Sequence, residues 1–448
     1  MQAAIPLEDH PKTERQITRG MGARILTNTQ VWSPDSQWLV YDTRPDASGE
    51  VFNGTRIEMV HAQSGEVRVV YESPNNSRCG VATFHPTRWE VVFIHGPENP
   101  TPDWSYGPYH RQGVIVRLNE SPRVLPLDAR DLTSPLTPGA LRGGSHVHVW
   151  HPLGDWVSFT YEDHLLASYA NPGPDHDLNQ RNIGVSIPGR PVFVKKDHPR
   201  NLDGTHFTVL VTRTHAVPRP GSDEVKKAYE EGWIGREGYV RADGTRQRRA
   251  LAFLGQVVSE RGETVPEVFV ADLPDDLSQP GDGPLEGTLQ RLPLPPKGVS
   301  QRRLTRTTQR KHPGVQGIRH WLRCSPDGAN IAFLMKDDAG LDQLWTVSPN
   351  GGAPRQLTRN PASVSSTFNW SPDGRLIAHT LDNSLCVTTF PAGKTWRLTP
   401  RFNDAEAPRP EACVFSPDGK HLAYVRRVPS PTAASNQIFV LDLNLAAR

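Results

Sequence analysis

Histidine is concentrated in one part of this chain of 448 residues. Eight of the 17 histidines lie between residues 146 and 215, far more than an even distribution would place there. Two of them, His146 and His148, are one residue apart, so both imidazoles would point to the same side of a β-strand. Imidazole nitrogens are common ligands of divalent metals. The pair therefore predicts a site for a divalent metal (Mn, Zn or Ca), with carboxylates nearby.

Aromatic, acidic and further histidine residues outside this pair could hold a small polar ligand. Residues 95–112 contain aromatic rings that could stack on a sugar, although a loop packed on itself would have the same composition. Residues 162–180 contain several acidic and histidine side chains. The candidate ligand-binding residues are Trp104, Tyr106, His110, Asp163, His164 and Glu411.

The elements that would position these residues come from an internal repeat. The sequence Ser-Pro-Asp-Gly occurs at 325–328, 371–374 and 416–419, and a close copy occurs at 33–36. Proline and glycine favour a turn here, an apolar residue precedes each turn, and β-forming triplets such as Ile331–Phe333 follow it. Each copy therefore predicts a strand, a turn and a second strand. With weaker copies included, the repeats start at 33, 85, 151, 241, 325, 371 and 416.

Repeats of this kind predict an all-β fold, a seven-bladed β-propeller that forms a single domain over residues 1–448. The last repeat lacks its outer strand, whereas the N-terminal segment 15–18 has the sequence expected of one. We therefore expect the N-terminal strand to complete the last blade and close the ring, which removes an open sheet edge. An eight-bladed ring, with an additional blade between 151 and 325, is the alternative.

The repeats are unevenly spaced, which predicts insertions. They are expected at about 95–112, 162–180, 216–238 and 274–300. The first three fall in connections that share one face of the ring, and insertions in repeat proteins often mark a binding face. The third is expected to hold a short helix that begins after Ser222 and ends at Gly232. The fourth, rich in proline and glycine, is expected to be a plain surface loop on the opposite face.

Aligning the repeats places several candidate residues at the same level of the ring. Five residues before each turn, His146, Arg236 and His320 come from consecutive blades. Glu411 occupies this position in the last blade. Side chains at this level would face the central channel at the end that carries the insertions. We therefore predict His146, His148 and His320 as metal ligands. Arg236 is the predicted catalytic residue, which could stabilise an enolate or abstract a proton.

The repeat also resembles that of known propellers. Its Ser-Pro-Asp-Gly turns and Ile/Leu-Ala-Phe/Tyr strands are similar to those of TolB-type (WD40-like) β-propellers over nearly the whole chain. The length, the N-terminus and the histidine-rich middle resemble the YidR-like family of bacterial propellers, which implies no particular activity. Prolyl oligopeptidases also contain such propellers, but the chain has no Gly-x-Ser-x-Gly motif, which disfavours a serine peptidase.

A second resemblance is to oligogalacturonate lyases. Residues Ser145–Trp150 resemble the segment with the His-x-His pair of those enzymes, and Lys226–Glu230 is similar to part of a helical insertion. This resemblance implies a metal held by histidines at the channel mouth and an arginine that acts as the base of a β-elimination. The position of the pair differs in this chain, and the remaining metal ligands of that family have no match here.

Composition excludes several other classes of protein. The net charge of +2 lacks the basic excess of a nucleic-acid binder, and no apolar run is long enough to span a membrane. The N-terminus has no features of a secretion signal, and the four cysteines have no paired spacing. A cytoplasmic protein is therefore expected.

Two functions remain open from the sequence. The channel-mouth histidines favour a protein that binds a divalent metal and a small carbohydrate such as a uronate, and that could act as a β-eliminating lyase. The lack of a complete catalytic set in the sequence favours a non-catalytic propeller that serves as a scaffold for a protein partner.

Overall fold

The computed structural model describes residues 8–119, 124–169, 176–429 and 434–443, and it confirms the seven-bladed β-propeller. Seven blades, numbered 1 to 7 in chain order, surround a central channel, and each is built on four antiparallel strands. The alternative with eight blades is therefore wrong. No helix among the described residues is long and apolar enough to cross a membrane.

The blades differ in strand length but share one topology, in which each strand pairs with the next in sequence, except that a hairpin lies between the first two strands of blade 4. Strands are given from the channel outwards. Blade 1 has Ala23–Ile25, Trp38–Arg44, Arg56–His61 and Val67–Glu72. Blade 2 has Cys79–Phe84, Glu90–His95, Gln112–Arg117 and Val124–Pro126. Blade 3 has Gly143–Trp150, Val157–Asp163, Asn182–Ile187 and Phe207–Leu210. Blade 4 has Ala228–Trp233, Arg249–Val258, Thr264–Leu273 and Ser300–Arg303.

The last three blades follow the repeat most closely. Blade 5 has Arg323–Cys324, Ile331–Lys336, Asp342–Ser348 and Gly351–Gln356. Blade 6 has Asn369–Trp370, Leu376–Leu381, Ser384–Thr389 and Thr395–Arg397. Blade 7 has Pro408–Phe415, His421–Val428, Ser435–Asp442 and the N-terminal Glu14–Gln16. Two short ribbons pair Ala129–Arg130 with Ala140–Leu141 and Tyr239–Val240 with Arg246–Gln247.

The ring closes as predicted. Strand Glu14–Gln16 pairs antiparallel with Ser435–Asp442, which gives blade 7 its outer strand. A second closure was not predicted: Glu8–Asp9 pairs parallel with Thr395–Arg397 and becomes a fifth strand of blade 6. The N-terminal segment therefore holds two adjacent blades.

The repeated residues fix the turns and join neighbouring blades. In each Ser-Pro-Asp turn the serine hydroxyl donates to the aspartate, as Ser325 Oγ does to Asp327 Oδ1 at 2.5 Å, and accepts an amide N–H from the next strand. Before three of the inner turns, a tryptophan indole N–H donates to a carbonyl of the preceding blade. The donors and acceptors are Trp32 and Val414, Trp233 and Val149, and Trp370 and Arg323, at 3.0–3.1 Å.

The helix predicted in the third insertion, 216–238, is wrong. Residues 216–222 form turns, and Ala228–Trp233 is the inner strand of blade 4, paired with Arg249–Val258. If these residues formed a helix, strand Arg249–Val258 would have no partner on the side that faces the channel. Pairing between strands therefore outweighs the local preference of this segment for a helix. The repeat start assigned at 241 is consequently out of register, because the inner strand ends at Trp233 and a hairpin follows. The helix that the structure describes is the single turn His164–Ala167 in the second insertion.

The stretch 274–300 is not the plain surface loop that its composition predicts. It connects the third and fourth strands of blade 4. Its middle contacts the second insertion, where Asp177 N donates to Gln290 O at 2.8 Å. Leu277 and Leu285 within it are buried in the largest apolar core cluster, which spans blades 3 and 4. Residues 170–175 of the second insertion lie outside the described residues.

Candidate functional site

Three consecutive inner strands contain a β-bulge where they face the channel. The register shifts between Gly80 and Thr83 in blade 2, between His146 and Val149 in blade 3, and between Tyr229 and Gly232 in blade 4. The bulged residues Val81, Val147 and Glu230 all have φ near the left-handed value, at 57–58°. This conformation is unusual for a β-branched residue, so the surrounding blades must hold it in place.

The bulge at Val147 separates the two histidines that the sequence placed on one side of a strand. His146 faces the channel, whereas His148 lies inside the protein with its Nε2 3.0 Å from Ser145 Oγ. A Cβ at position 113 would lie only 2.6 Å from this nitrogen, so Gly113 is needed to make room for the ring. The alternation that predicted a shared face therefore fails at the bulge.

His146 lines a cavity of about 480 Å³ at the end of the channel that carries the first three insertions, the upper cavity. The opposite end, where the repeated turns lie, contains a separate lower cavity of about 360 Å³. The upper cavity takes side chains from six of the seven blades. The charged residues among them, with the three polar or aromatic residues that matter below, are Asn28, Asp42, Arg44, Glu50, Tyr106, Arg111, His146, Arg181, Arg319 and Glu411.

Positive charge surrounds His146. Burial, and then the neighbouring Arg111, Arg181 and Arg319, hold the pKa of His146 well below its usual value. The imidazole is therefore neutral at pH 7, and its Nδ1 has no hydrogen-bond partner within the described protein. A neutral imidazole with a free nitrogen can accept a hydrogen bond, and it can accept a proton once a bound anion offsets the positive charge around it.

The three arginines are not equivalent. Arg181 donates to Glu162 Oε1 through Nε and Nη2, at 2.9 and 2.5 Å. Arg319 donates to Glu230 Oε1 at 2.9 Å. Among the described residues, Arg111 makes no ion pair with a carboxylate, and its buried Nε has no hydrogen-bond partner. Within the described chain, Arg111 thus brings to the upper cavity a positive charge that has no carboxylate oxygen within 4.0 Å, although Asp42, Glu50 and Glu411 line the same cavity.

Other polar atoms of the upper cavity are also unpartnered. In the described part of the chain, Asn28 Oδ1, Tyr106 Oη and Glu411 Oε2 are buried without a hydrogen bond, as are His146 Nδ1 and Arg111 Nε. Buried polar groups are nearly always satisfied, because leaving one unpaired costs about 1–3 kcal/mol. Five such atoms around one cavity form a set of donors and acceptors available to a ligand.

The predicted metal ligands do not meet. His320 donates from Nδ1 to Ile318 O at 2.8 Å and accepts from Leu334 N at Nε2 at 3.1 Å, so both ring nitrogens are engaged in the backbone. His148 lies behind the channel wall, and His146 alone of the three lines the cavity. The described residues contain no group of three or more His, Cys, Asp or Glu side chains that could hold a metal ion. These three histidines therefore do not fit a shared metal.

Arg236, the predicted catalytic residue, is at the other end of the channel. It follows the inner strand of blade 4, its N–H donates to Pro326 O at 2.8 Å, and it lines the lower cavity. The placement predicted beside His146 is wrong because the repeat was aligned on the hairpin after Trp233 and not on the inner strand itself.

The predicted ligand-binding residues divide into two groups. Tyr106 and Glu411 line the upper cavity, and Tyr106 stacks on Phe52 with ring centroids 4.8 Å apart. Trp104, His110 and His164 instead pack on one another. The rings of Trp104 and His110 stack at 3.8 Å, and His164 Nδ1 donates to His110 Nε2 at 3.0 Å.

Asp163 has a structural role. It is fully buried, accepts from Arg142 Nε at 2.6 Å and from Tyr161 Oη at 2.9 Å, and caps the short helix through Leu166 N. It is not among the residues that line the upper cavity.

Comparison with known proteins identifies relatives of this chain. The uncharacterized protein YidR of Escherichia coli (strain K12) is 47% identical over 426 residues, which cover 94% of this chain and 97% of that protein. This chain belongs to the YidR family. A family model described as a protein of unknown function (DUF3748) matches residues 78–202, which include the first two insertions and His146.

Solved structures similar to this YidR-family chain share its fold. An oligogalacturonate lyase in complex with manganese aligns with a TM-score of 0.54 at 11% identity, covering 99% of this chain and 97% of that chain. A puromycin hydrolase aligns with a TM-score of 0.51 at 14% identity, covering 97% of this chain and 55% of that chain. At these identities the likeness is one of fold.

Several residues of the upper cavity in this YidR-family protein were not predicted. Asn28 occupies the same aligned position as His146, so the repeat alignment contained a signal for it. Arg319 is next to the aligned His320, but only the structure shows that the arginine and not the histidine lines the cavity. Arg111 and Arg181 come from the ends of insertions, for which the repeat gives no position.

Proposed function

We propose that the upper cavity binds a small carbohydrate that carries a carboxylate, such as a uronate. The observation that carries this proposal is the set of five unpartnered polar atoms around one cavity, together with Arg111, which forms no ion pair with a carboxylate in the described part of the chain. In the proposed complex Arg111 pairs with the ligand carboxylate, because a guanidinium binds that group through two parallel hydrogen bonds.

The mixture of donors and acceptors supports a sugar as the remainder of the ligand. Asn28 Oδ1 and Glu411 Oε2 accept hydrogen bonds, whereas Tyr106 Oη can donate one. Sugar hydroxyls satisfy both kinds of partner. Trp321, which also lines the cavity, adds an aromatic surface to its wall. The ring of Tyr106, in contrast, is already covered by Phe52 and by the guanidinium groups of Arg78 and Arg111.

A β-elimination is the reaction that these groups would support. The neutral imidazole of His146 would accept at Nδ1 the proton on the carbon next to the carboxylate. Arg111 would stabilise the negative charge that develops on the carboxylate. The electron pair would then form the double bond as the bond to the glycosidic oxygen breaks, and that oxygen would take a proton from water. The fold shared with an oligogalacturonate lyase supports this reaction only by analogy.

The binding step is tested by calorimetric titration of the full chain with galacturonate and, as a neutral control, with galactose. Replacing Arg111 with alanine should weaken galacturonate binding by about 10- to 100-fold, the value of a charge-assisted hydrogen-bonded pair. The matched control is Arg78→Ala, because Arg78 lies over the same Tyr106 ring at 5.4 Å but does not line the cavity. Equal affinities for the two sugars, or equal losses in the two variants, would contradict the proposal.

The elimination step needs a separate measurement. Oligogalacturonides incubated with the protein should gain the ultraviolet absorbance of unsaturated products, and His146→Gln should abolish the rate while galacturonate still binds. Binding without any gain in absorbance would leave a binding protein and remove the lyase.

A metal is a further expectation from the sequence, and the manganese complex of the lyase neighbour makes it worth testing. Because His148 and His320 are engaged elsewhere, no step above uses a metal. Elemental analysis of protein purified without a histidine tag tests for Mn, Zn and Ca. If no metal is found and no uronate binds, the non-catalytic scaffold with a protein partner becomes the better hypothesis.

A further inference from the structure

The lower cavity is built from the repeat itself. The apolar residue before each inner turn lines its wall, as do five of the turn prolines, Pro86, Pro152, Pro326, Pro372 and Pro417. The large aromatic side chains among them are Trp32, Phe84, Trp150, Trp233, Trp370 and Phe415. The volume of about 360 Å³ lies within the range of small-molecule sites, and the wall offers flat apolar surface to a ligand.

All the formal charge on this wall is positive. Arg236 and Arg323 line the lower cavity, and no aspartate or glutamate is among the lining residues in the described part of the chain. Arg236 is exposed at the rim, whereas Arg323 retains only 8% of its surface. An apolar cavity with two cations favours an anion that has an apolar body.

Arg323 is buried with donors that the protein does not use. Its Nη1 donates to Leu322 O at 3.1 Å, but Nε and Nη2 have no hydrogen-bond partner among the described residues. The buried indole Nε1 of Trp150, on the same wall, is also unpartnered. All three unsatisfied atoms are donors, so a ligand that pairs with them must supply acceptors.

Glu231 is the nearest alternative partner for Arg323. The two side chains attract each other electrostatically, but no hydrogen bond or ion pair within 4.0 Å joins them in the described structure. Glu231 instead accepts from Thr160 Oγ1 at 3.0 Å. The Arg323 donors therefore remain available to a ligand.

We propose that the lower cavity is a second ligand site, which binds a small carboxylate with a flat apolar body. Its carboxylate pairs with Arg323 and with the rim charge of Arg236, and its body packs between the aromatic rings. This site is separate from the upper cavity and does not depend on the function proposed for it.

Phenylacetate is a suitable probe, and phenylacetamide is its uncharged control. In calorimetric titrations of the full chain, we expect phenylacetate to bind and the amide to bind at least about tenfold more weakly. Arg236→Ala should weaken phenylacetate binding several-fold without affecting folding, because that side chain is exposed. Trp150→Phe keeps an aromatic side chain, although a smaller one, removes the unpartnered N–H and should also weaken binding.

The decisive variant removes both buried charges together. In Arg323→Met combined with Glu231→Gln no unpaired charge remains, and phenylacetate binding should be lost. Arg111→Ala in the upper cavity is the matched control, and this variant should bind phenylacetate in the lower cavity as tightly as the wild type does. The proposal is overturned if phenylacetate does not bind, if the amide binds equally well, or if Arg111→Ala weakens binding as much as Arg236→Ala does. If the double variant fails to fold, the Arg236 and Trp150 variants still decide the outcome.

Discussion

The two ends of one channel are built on different principles. At the lower end each blade contributes an aromatic or apolar side chain, and in every blade except blade 4 a turn with proline follows it. At the upper end the blades contribute different polar residues, such as Asn28 from blade 1, His146 from blade 3 and Glu411 from blade 7. The lower end follows the repeat, and the upper end departs from it.

The repeated residues of the lower end stabilise the fold, whereas the polar residues of the upper end are suited to selecting a ligand. The lower aromatic residues join neighbouring blades, since three tryptophan indoles donate to the carbonyl of the preceding blade. The upper polar residues leave several buried atoms unpaired, which costs folding free energy. Side chains that reduce stability in a fold that could do without them are typical of functional sites.

The largest expected effect tests this division directly. Trp370→Ala removes a buried ring and its hydrogen bond to Arg323 O, and should lower the free energy of unfolding by about 3–5 kcal/mol. Glu411→Ala at the upper end removes one ion pair to Arg409 and should cost less than about 1 kcal/mol. Urea unfolding of both variants measures the difference. Similar losses in the two variants would mean that the upper residues also serve the fold.

A smaller effect on stability comes from His379, a histidine of the blade interior that takes no part in the upper cavity. His379 is fully buried at the position where blades 5 and 7 have Phe333 and Tyr424, and burial lowers its pKa to about 4. Its folded pKa is below its unfolded value, so the unfolded state binds more protons and stability falls as the pH drops below about 6.5. At pH 5 this one group costs about 2 kcal/mol of stability.

His379→Phe removes that titration. Relative to the wild type, the variant should gain about 2 kcal/mol of unfolding free energy between pH 7.5 and pH 5, and galacturonate binding should not change. Urea unfolding at the two pH values measures the gain. The idea fails if both proteins lose stability equally on acidification, because His379 would then titrate normally in the fold.

The same contrast explains what could be predicted from sequence. The turns, the strands after them and the closing segment 15–18 follow from local rules that repeat along the chain. A weak copy of the repeat can therefore be recognised from the stronger copies. Blade 4 is the exception, because its hairpin at 239–247 imitates a turn of the repeat and shifted Arg236 to the wrong end of the channel.

The upper cavity depends on features that local sequence does not show. The bulge at Val147 reverses the side of the strand on which His148 lies, and its left-handed φ is imposed by the surrounding blades. The hydrogen bonds of His320 to the backbone also require knowledge of the neighbouring strand. His146, Tyr106 and Glu411 were predicted at this end, whereas the unpaired charge of Arg111 emerges only when the insertions are folded.

The smallest expected effect concerns Glu231, whose inner strand contains the bulge of blade 4. Burial raises the pKa of this carboxyl to about 7, while Thr160 and Arg323 favour its charged form and Glu230 opposes it. It is therefore mostly protonated at pH 6 and ionised at pH 8, where its charge competes with a bound carboxylate for Arg323. Phenylacetate should bind the wild type more weakly at pH 8 than at pH 6.

Glu231→Gln removes this competition and keeps an acceptor for Thr160. The variant should bind phenylacetate about three- to tenfold more tightly than the wild type at pH 8, and equally at pH 6. Galacturonate binding in the upper cavity should be the same in both proteins at either pH. A variant that gains affinity for both ligands would show that the two cavities share one electrostatic environment, and the contrast between the ends of the channel would then not hold.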